Sequence, residues 1–527
     1  MWIMGAWPRF RMSHSRFVLA FTVSLYVICN ALNVDKLAKW FEGKEGLDGV
    51  ALSAYLLGGL CLFLAFVGLL AHRWTVKPLA IFLVIVSTAV TYFIAKYDIA
   101  VDSSMVRNTL HTDATEVRQL LSLQMIPYVA ILMVAPILVI LSIDITFRPS
   151  GKYLIDSIKI IVVALLVAAA SLYSNYNAIH RAGNVSNKYI VYSLVPVNVL
   201  SGTISVVSKS VKPYLQSNPQ DIAISGRLGV SDNLVVVLAV GESSRRKSFS
   251  VYGYDRQNTN PALARIDGLH LLNGVARLGS TLYALPEILE KNGVKLTTIV
   301  SKLGVPTACY VNYTLYDNCA SVGEVKVDQC GHGGKCYDED VIPLLEGNLK
   351  TYMSGYRFVV LHLGGGSHGP SYSDRHPPEF QQFTPQCKDA DIANVCTVDQ
   401  LYNSYDNTIL YVDYVLGEII QRLERATVPY VFIYVSDHGE SLLEDGRMFH
   451  GMPPGIPLPA EQAQIPLIVK ASIPISIVKR ADYPQQDVFD TVLDLFSIET
   501  ALFDKSSSFI KKRTEAAKLG AATTAGS

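Results

Sequence analysis

Five apolar stretches of membrane-spanning length crowd into the first third of this chain, and they constrain its fold more than any other feature. They are Phe17–Val34, Val50–Ala71, Pro78–Ile94, Ile126–Ile145 and Ile155–Leu172. Each approaches the length, about 20 mostly apolar residues, that an α-helix needs to cross the hydrocarbon core of a bilayer. A large soluble core can hide one or two such helices, but five in succession argue against that reading. Internal Gly and Ser residues suit closely packed membrane helices. Cys29 and Cys61 fall within these stretches and read as apolar packing residues.

Lys and Arg near the helix ends set the orientation. Arg9, Arg11 and Arg16 precede the first stretch, Arg73 and Lys77 separate the second from the third, and Arg148 and Lys152 separate the fourth from the fifth. The first intervening loop mixes Lys36, Lys39 and Lys44 with Asp35, Glu42, Glu45 and Asp48. The best fit puts the amino terminus inside, so that five crossings leave everything after Leu172 outside. No small-residue cleavage site of the signal-peptide kind follows the first stretch.

Cysteine usage agrees with that topology. The remaining six cysteines lie in the second half at short spacings: Cys309 and Cys319, Cys330 and Cys336, Cys387 and Cys396. Local cysteines beyond a membrane read as three disulfides in an oxidising compartment, with nearest neighbours the simplest pairing. A zinc cluster is the rival, although no Cys-x-x-Cys occurs.

Composition divides the chain into four parts. Residues 1–173 form the transmembrane domain, and 174–232, with scattered Pro, Ser, Asn and Gly, read as a linker along the membrane surface. Residues 233–504 form a soluble domain. The Ala-, Ser- and Lys-rich tail 505–527 reads as disordered. Met105–Leu121 has apolar residues at near-helical spacing, which suits either an interfacial helix or an ordinary solvated one.

The soluble domain alternates short apolar runs with amphipathic stretches. Leu234–Val240, Leu296–Val300, Phe358–Leu363 and Tyr430–Val435 read as strands buried on both faces, and Leu282–Asn292 and Leu410–Ala426 as helices. This pattern predicts an α/β domain with a mainly parallel sheet covered by helices. Such sheets place active sites beyond the carboxyl ends of their strands.

Three predicted strands end in chemically active residues. VVVLAVGESSR delivers Glu242, VVLHLGGGSHGP delivers His368, and YVFIYVSDHGE delivers Asp437 and His438. FHGMPPG adds His450 in a Pro/Gly-rich loop. Singly, these residues read as a helix cap, a loop turn, a strand end and a surface histidine. Together at equivalent strand ends they read as ligands for a divalent cation, zinc above all. A hydroxyl at a helix amino terminus would suit an anionic substrate beside that metal, and GSTLYALPEILEKNGV offers Ser280 and Thr281. Either could instead simply cap the helix.

These motifs resemble those of the bacterial phosphoethanolamine transferases that modify lipid A and other envelope glycans, including the polymyxin-resistance enzymes. The resemblance spans nearly the whole chain. It is carried by GESSR, YGYDRQNTNP, SHGPSY, FTPQC, YNSYDNTILYVDY, SDHGESLLEDG and FHGMP, in that order. It implies five transmembrane helices in the inner membrane and a periplasmic domain of the alkaline phosphatase and sulfatase type. It further implies zinc held by Glu242, Asp437, His438 and a nucleophilic threonine, with His368 and His450 near the incoming phosphate or a second zinc. The implied reaction moves phosphoethanolamine from phosphatidylethanolamine, through a phosphothreonine, to lipid A, lipopolysaccharide or another glycan acceptor. Nucleic acid is not an expected partner.

One segment departs from the family pattern. Where members related to the lipid A enzymes carry SCGT-x-T and then SVPC, this chain has RLGSTLYALPE from Arg277 to Glu287, without either cysteine and one residue shorter. Alignment on Pro286 selects Thr281 as nucleophile, and alignment on Gly279 selects Ser280; Thr281 is the expected one. Rival readings are a phosphoglycerol transferase or a sulfatase-like hydrolase of the same superfamily, or a non-catalytic envelope binding protein. No formylglycine-type Cys-x-Pro-x-Arg segment supports a sulfatase.

Overall fold

The computed structural model describes residues 10–43, 46–97, 99, 101–111, 123–148, 151–185, 189–215, 226–229, 233–312, 316–327, 330, 335–364, 367, 369–389 and 392–512. The chain divides into two compact units. One comprises Met1–Leu215 with Pro453–Ile456, and the other Gln216–Met452 with Pro457–Ser527.

The first unit holds five helices long and apolar enough to cross a membrane: α1 (His14–Ala31), α2 (Gly49–Leu70), α3 (Val76–Tyr97), α4 (Met125–Ser142) and α5 (Lys152–Ser174). Each of the five expected spans is therefore helical over most of its length. The fourth includes a π-helical segment, Val129–Val134, and stops at Ser142. The residues after it, Ile143–Thr146, form a strand paired in parallel with Phe10–Ser13. Helices α2 and α5 approach closely because α2 presents glycine. A Cβ on Gly58 would lie 2.5 Å from Leu172 Cδ2, and one on Gly68 3.1 Å from Ile161 Cγ1. Asn30 within α1 is buried, and its amide satisfies the Val195 backbone on both sides, giving to the carbonyl at 2.6 Å and accepting from the N–H at 3.0 Å.

The stretch expected to be a linker is largely helical. Tyr176–Val185, Tyr189–Tyr192 and Val197–Leu215 are all helices within the first unit. Their Ser and Asn residues look like loop signals in sequence, but packing against apolar neighbours such as Ile190 and Leu194 overrides them. Of Met105–Leu121, Ser103–His111 is helical and residues 112–121 lie outside the described ones.

The second unit is a helix-covered mixed sheet. Its strands are β1 (Leu234–Gly241), β2 (His270–Val275), β3 (Thr307–Val311), β4 (Glu324–Lys326), β5 (Tyr356–Leu363), β6 (Tyr430–Ser436), β7 (Gln464–Ala471) and β8 (Tyr483–Pro484). They lie in the order β4-β3-β5-β1-β6-β7-β2-β8. Every pairing is parallel except the two made by β7. Every residue of β1 and β6 is buried, as their near-continuous apolar and aromatic runs require when both faces of a sheet are covered. On one face Leu234, Val236, Leu238 and Val240 share a core with Leu285, Ile288 and Leu289. The last three belong to helix α6 (Thr281–Leu289).

One expected strand is a helix. Leu296–Val300 lies in α7 (Leu296–Lys302), and the neighbouring sheet position goes to β3, which follows it. A short run such as LTTIV is equally apolar in either conformation, so periodicity cannot separate the two. Helix α8 (Val398–Arg425) begins twelve residues before the expected Leu410, opened by a capping box between Thr397 and Gln400. At the other end, residues 505–512, expected in the tail, include the strand Ile510–Lys512 paired with Ile475–Ile477. Residues 513–527 lie outside the described ones.

The three expected disulfides are present: Cys309–Cys319, Cys330–Cys336 and Cys387–Cys396. Cys29 and Cys61 are free and buried.

Candidate metal centre and nucleophile

Sheet register brings the acidic residues together. Gly241 at the end of β1 pairs with Leu363 of β5 on one side and Ser436 of β6 on the other. The next residues, Glu242 and Asp437, therefore emerge side by side at the carboxyl edge, with Asp437 N–H bonded to Gly241 carbonyl at 3.0 Å. Both are buried, as is His438. Gly439 is required for a close backbone approach here: a Cβ on it would collide with the Glu461 carbonyl oxygen.

Helix α6 supplies the hydroxyl. Ser280 is its N-cap residue in extended conformation, and Thr281 is its first helical residue. Thr281 Oγ1 donates to Glu242 Oε2 at 2.9 Å and lies 3.5 Å from His438 Nε2. The Ser280 side chain makes no cap hydrogen bond, while its carbonyl accepts from the N–H groups of Tyr283 and Ala284. Gly279 acts through close approach rather than through a left-handed turn. Its carbonyl accepts from Gly451 N–H at 2.6 Å, and a Cβ on it would press on Gln462 and Leu458 at 3.0 Å. That contact ties the α6 entry to the loop carrying His450.

Glu242, His438 and His450 each offer one ligand atom, and these atoms lie within 4.8 Å of one another. The two imidazole rings are 4.2 Å apart between centroids. His450 thus joins Glu242 and His438 in one cluster that could hold a metal ion. Asp437 Oδ2 faces His438 Nε2 at 3.1 Å, and Glu242 Oε1 lies 3.7 Å from the same nitrogen. His368 lies outside the described residues.

The hydrogen bonds behind these atoms show what the centre would hold. His438 Nδ1 is 3.0 Å from the Gly439 carbonyl, which can only accept, so Nδ1 carries the proton and Nε2 is turned toward the carboxylates. Asp437 Oδ1 accepts from the N–H groups of Ser243 at 3.0 Å and His438 at 2.7 Å. Its partner Oδ2, fully buried, accepts no hydrogen bond among the described residues. An imidazole lone pair and an orphaned carboxylate oxygen meeting in a buried site require positive charge between them, a proton or a metal cation. The donors, carboxylate oxygen, imidazole nitrogen and hydroxyl, fit a divalent metal ion.

The electrostatics follow the same logic. Burial, reinforced by the charge of Glu242, pushes the Asp437 carboxyl up to about 7. Burial opposes a charge on His438, but Asp437 and Glu242 outweigh it and raise this imidazole above its usual range. Burial and the neighbouring His438 push His450 down to about 3, which keeps it neutral and able to ligate.

Several residues at the site carried no signal of their own in sequence. Ser243 adopts φ 55°, outside the usual range for a side-chain-bearing residue, and its hydroxyl donates to Glu242 Oε1 at 2.7 Å. Tyr405 on α8 bridges this loop, accepting from Arg245 N–H at 2.9 Å and donating to the Ser243 carbonyl at 2.8 Å. Arg245 is wholly buried, paired to Glu444 at 2.6 Å and stacked on Tyr402 and Tyr405, each 5.1 Å from its guanidinium carbon. Their aromatic and arginine identities were visible within the motifs, but only the fold shows what they hold.

Comparison with known proteins agrees with both halves of this description. The family described as "Phosphoethanolamine transferase EptA/EptB" matches residues 60–211, and the family described as "Sulfatase" matches 234–498. The phosphoethanolamine transferase EptA of Escherichia coli strain K12 is 30% identical over 486 residues, covering 83% of this chain and 86% of its own. This chain belongs to the phosphoethanolamine transferase family. Another member, the phosphatidylethanolamine transferase Mcr-1 of Escherichia coli, is 27% identical over 96% of this chain and 98% of its own. The fold is that of the lipooligosaccharide phosphoethanolamine transferase EptA of Neisseria meningitidis: TM-score 0.82, 24% identity, covering 96% of this chain and 100% of that one. As a phosphoethanolamine transferase, the chain is a multi-pass inner-membrane enzyme with its catalytic domain in the periplasm.

Proposed function

We propose that this enzyme takes phosphoethanolamine from phosphatidylethanolamine and passes it, through a phosphorylated Thr281, to lipid A or another lipopolysaccharide or envelope glycan. The observation that carries the reading is the Thr281 hydroxyl at the start of α6, 2.9 Å from Glu242 and 3.5 Å from His438. Names of relatives supply the donor and acceptor classes: Mcr-1 is a phosphatidylethanolamine transferase, and a further relative from Salmonella typhimurium is a Kdo(2)-lipid A phosphoethanolamine 7''-transferase.

Glu242, Asp437, His438 and Thr281 would hold zinc, with His450 adjoining, and zinc would supply positive charge that balances the phosphoryl oxygens. The α6 amino terminus adds its own partial positive charge toward the phosphate. Thr281 Oγ1 attacks phosphorus as its proton leaves toward Glu242 Oε2, and the bond from phosphorus to the diacylglycerol oxygen breaks. That proton passes on to the diacylglycerol oxygen as diacylglycerol departs. A protonated acceptor oxygen then attacks the same phosphorus from the side opposite Thr281, giving its proton to Glu242; the bond to Thr281 Oγ1 breaks, and Glu242 returns that proton to Oγ1. Ser280, the N-cap residue of the same helix, is the alternative nucleophile.

Mass spectrometry of envelope lipids and glycans, from cells with and without the chain, tests the substrate assignment. A mass gain of one phosphoethanolamine on lipid A, core sugar or another glycan, dependent on Thr281, is expected. Unchanged envelopes under strong expression would refute it.

A further inference from the structure

Behind His450 lies a buried carboxylate that the reaction does not use. Glu440 follows the SDHG turn, is fully buried, and places Oε2 2.6 Å from His450 Nδ1. Its other oxygen, Oε1, accepts from the Tyr372 hydroxyl at 2.8 Å and from the Gly369 N–H at 3.2 Å. Tyr372 is itself fully buried, with its ring edge-on to Tyr405. These donors occupy Oε1 and hold the carboxylate in one orientation. The carboxylate oxygen Oε2 accepts from His450 Nδ1, which leaves the lone pair on Nε2.

We infer that Glu440 is a positioning residue for the candidate metal centre, fixing the tautomer and ring orientation of His450 so that Nε2 is left as its ligating nitrogen in the cluster with Glu242 and His438. The same device appears in His438, whose Nδ1 is tied to the Gly439 carbonyl. One imidazole is set by a backbone oxygen and the other by a carboxylate. A carboxylate also makes the imidazole a stronger donor to a metal. The geometry explains why an acid is buried at this place: a neutral Gln of the same shape could turn its N–H₂ toward Nδ1, move the ring proton to Nε2 and block ligation. This inference rests on the zinc-site reading above.

The test uses full-length protein in detergent and measures zinc affinity by chelator competition, together with the visible spectrum of the cobalt-substituted enzyme. Glu440→Gln is expected to weaken zinc binding by about 10- to 100-fold and to alter the cobalt spectrum. In a His450→Ala background the same substitution is expected to cost nothing further, because Glu440 acts through that ring; a purely structural role would still cost stability there. Tyr372→Phe keeps the test open if Glu440→Gln does not fold: it leaves the carboxylate in place, removes one of its donors, and is expected to weaken zinc a few-fold. Wild-type protein that binds zinc while Glu440→Gln matches it in affinity and spectrum overturns the inference alone. Wild-type protein that binds no zinc overturns the metal reading and this inference with it.

Discussion

Thr281 gives its hydroxyl hydrogen bond to Glu242, 39 residues earlier in sequence, across 2.9 Å at the edge of the sheet. One residue starts a helix and the other directly follows a strand, so the contact joins two elements that build the site. Thr281→Ala is expected to lower transfer on the order of 10³-fold or more, whereas Ser280→Ala keeps most of it. Assays with a labelled phosphatidylethanolamine check both, and the reverse ranking would move the nucleophile to Ser280.

Metal affinity should depend steeply on acidity. Ligands must shed protons to bind a cation, and Asp437 has been pushed up to about 7 by burial and Glu242, with His438 raised as well. Below about pH 7 a proton therefore competes with the metal, and affinity falls as pH falls; above it the competition ends. Zinc titrations between pH 5 and pH 8 are expected to show at least a tenfold loss per unit on the acid side, that being the slope for one proton released. A flat profile would show that these groups do not ligate.

Gly439 has no room for a side chain, because the obstacle is the backbone carbonyl of Glu461. Its own N–H is held by the Gln462 carbonyl at 2.8 Å, so the turn cannot easily move away. Gly439→Ala is expected to cost about 2 kcal/mol or more and to displace Asp437 and His438. Thermal melting should fall by about 5 °C or more, with zinc lost alongside.

Legibility in the sequence followed the range of the interaction involved. Unbroken apolar runs gave the five spans and the strands β1, β5 and β6, because membrane burial and two-faced burial leave direct compositional traces. Those strands then located Glu242, Asp437 and His438, since their ends are levelled by parallel register. Leu296–Val300 reads as a strand because a run of five residues, three of them apolar and two Thr, fits either backbone. The helices of 176–215 were hidden by Ser and Asn residues whose packing partners are distant in sequence. Glu440, Tyr405 and Arg245 do their work through partners 10 to 199 residues away, and no local pattern marks such roles.

Arg245 shows the energetic side of that long-range network. Its guanidinium is inaccessible to water and depends on Glu444, Ser248 and two tyrosine faces for its solvation. Arg245→Ala would leave Glu444 without its ion-pair partner and is expected to destabilise the enzyme by about 3–5 kcal/mol. Denaturant melts of the purified protein measure this; a cost below about 1 kcal/mol would show that the pair is dispensable.

The most direct measurement is peptide mass spectrometry of the enzyme after brief incubation with phosphatidylethanolamine and no acceptor. A single phosphoethanolamine adduct on Thr281, absent in Glu242→Ala and Asp437→Ala and lost when acceptor is added, is the predicted result. An adduct on Ser280, or full transfer activity with Thr281 never modified, would contradict it.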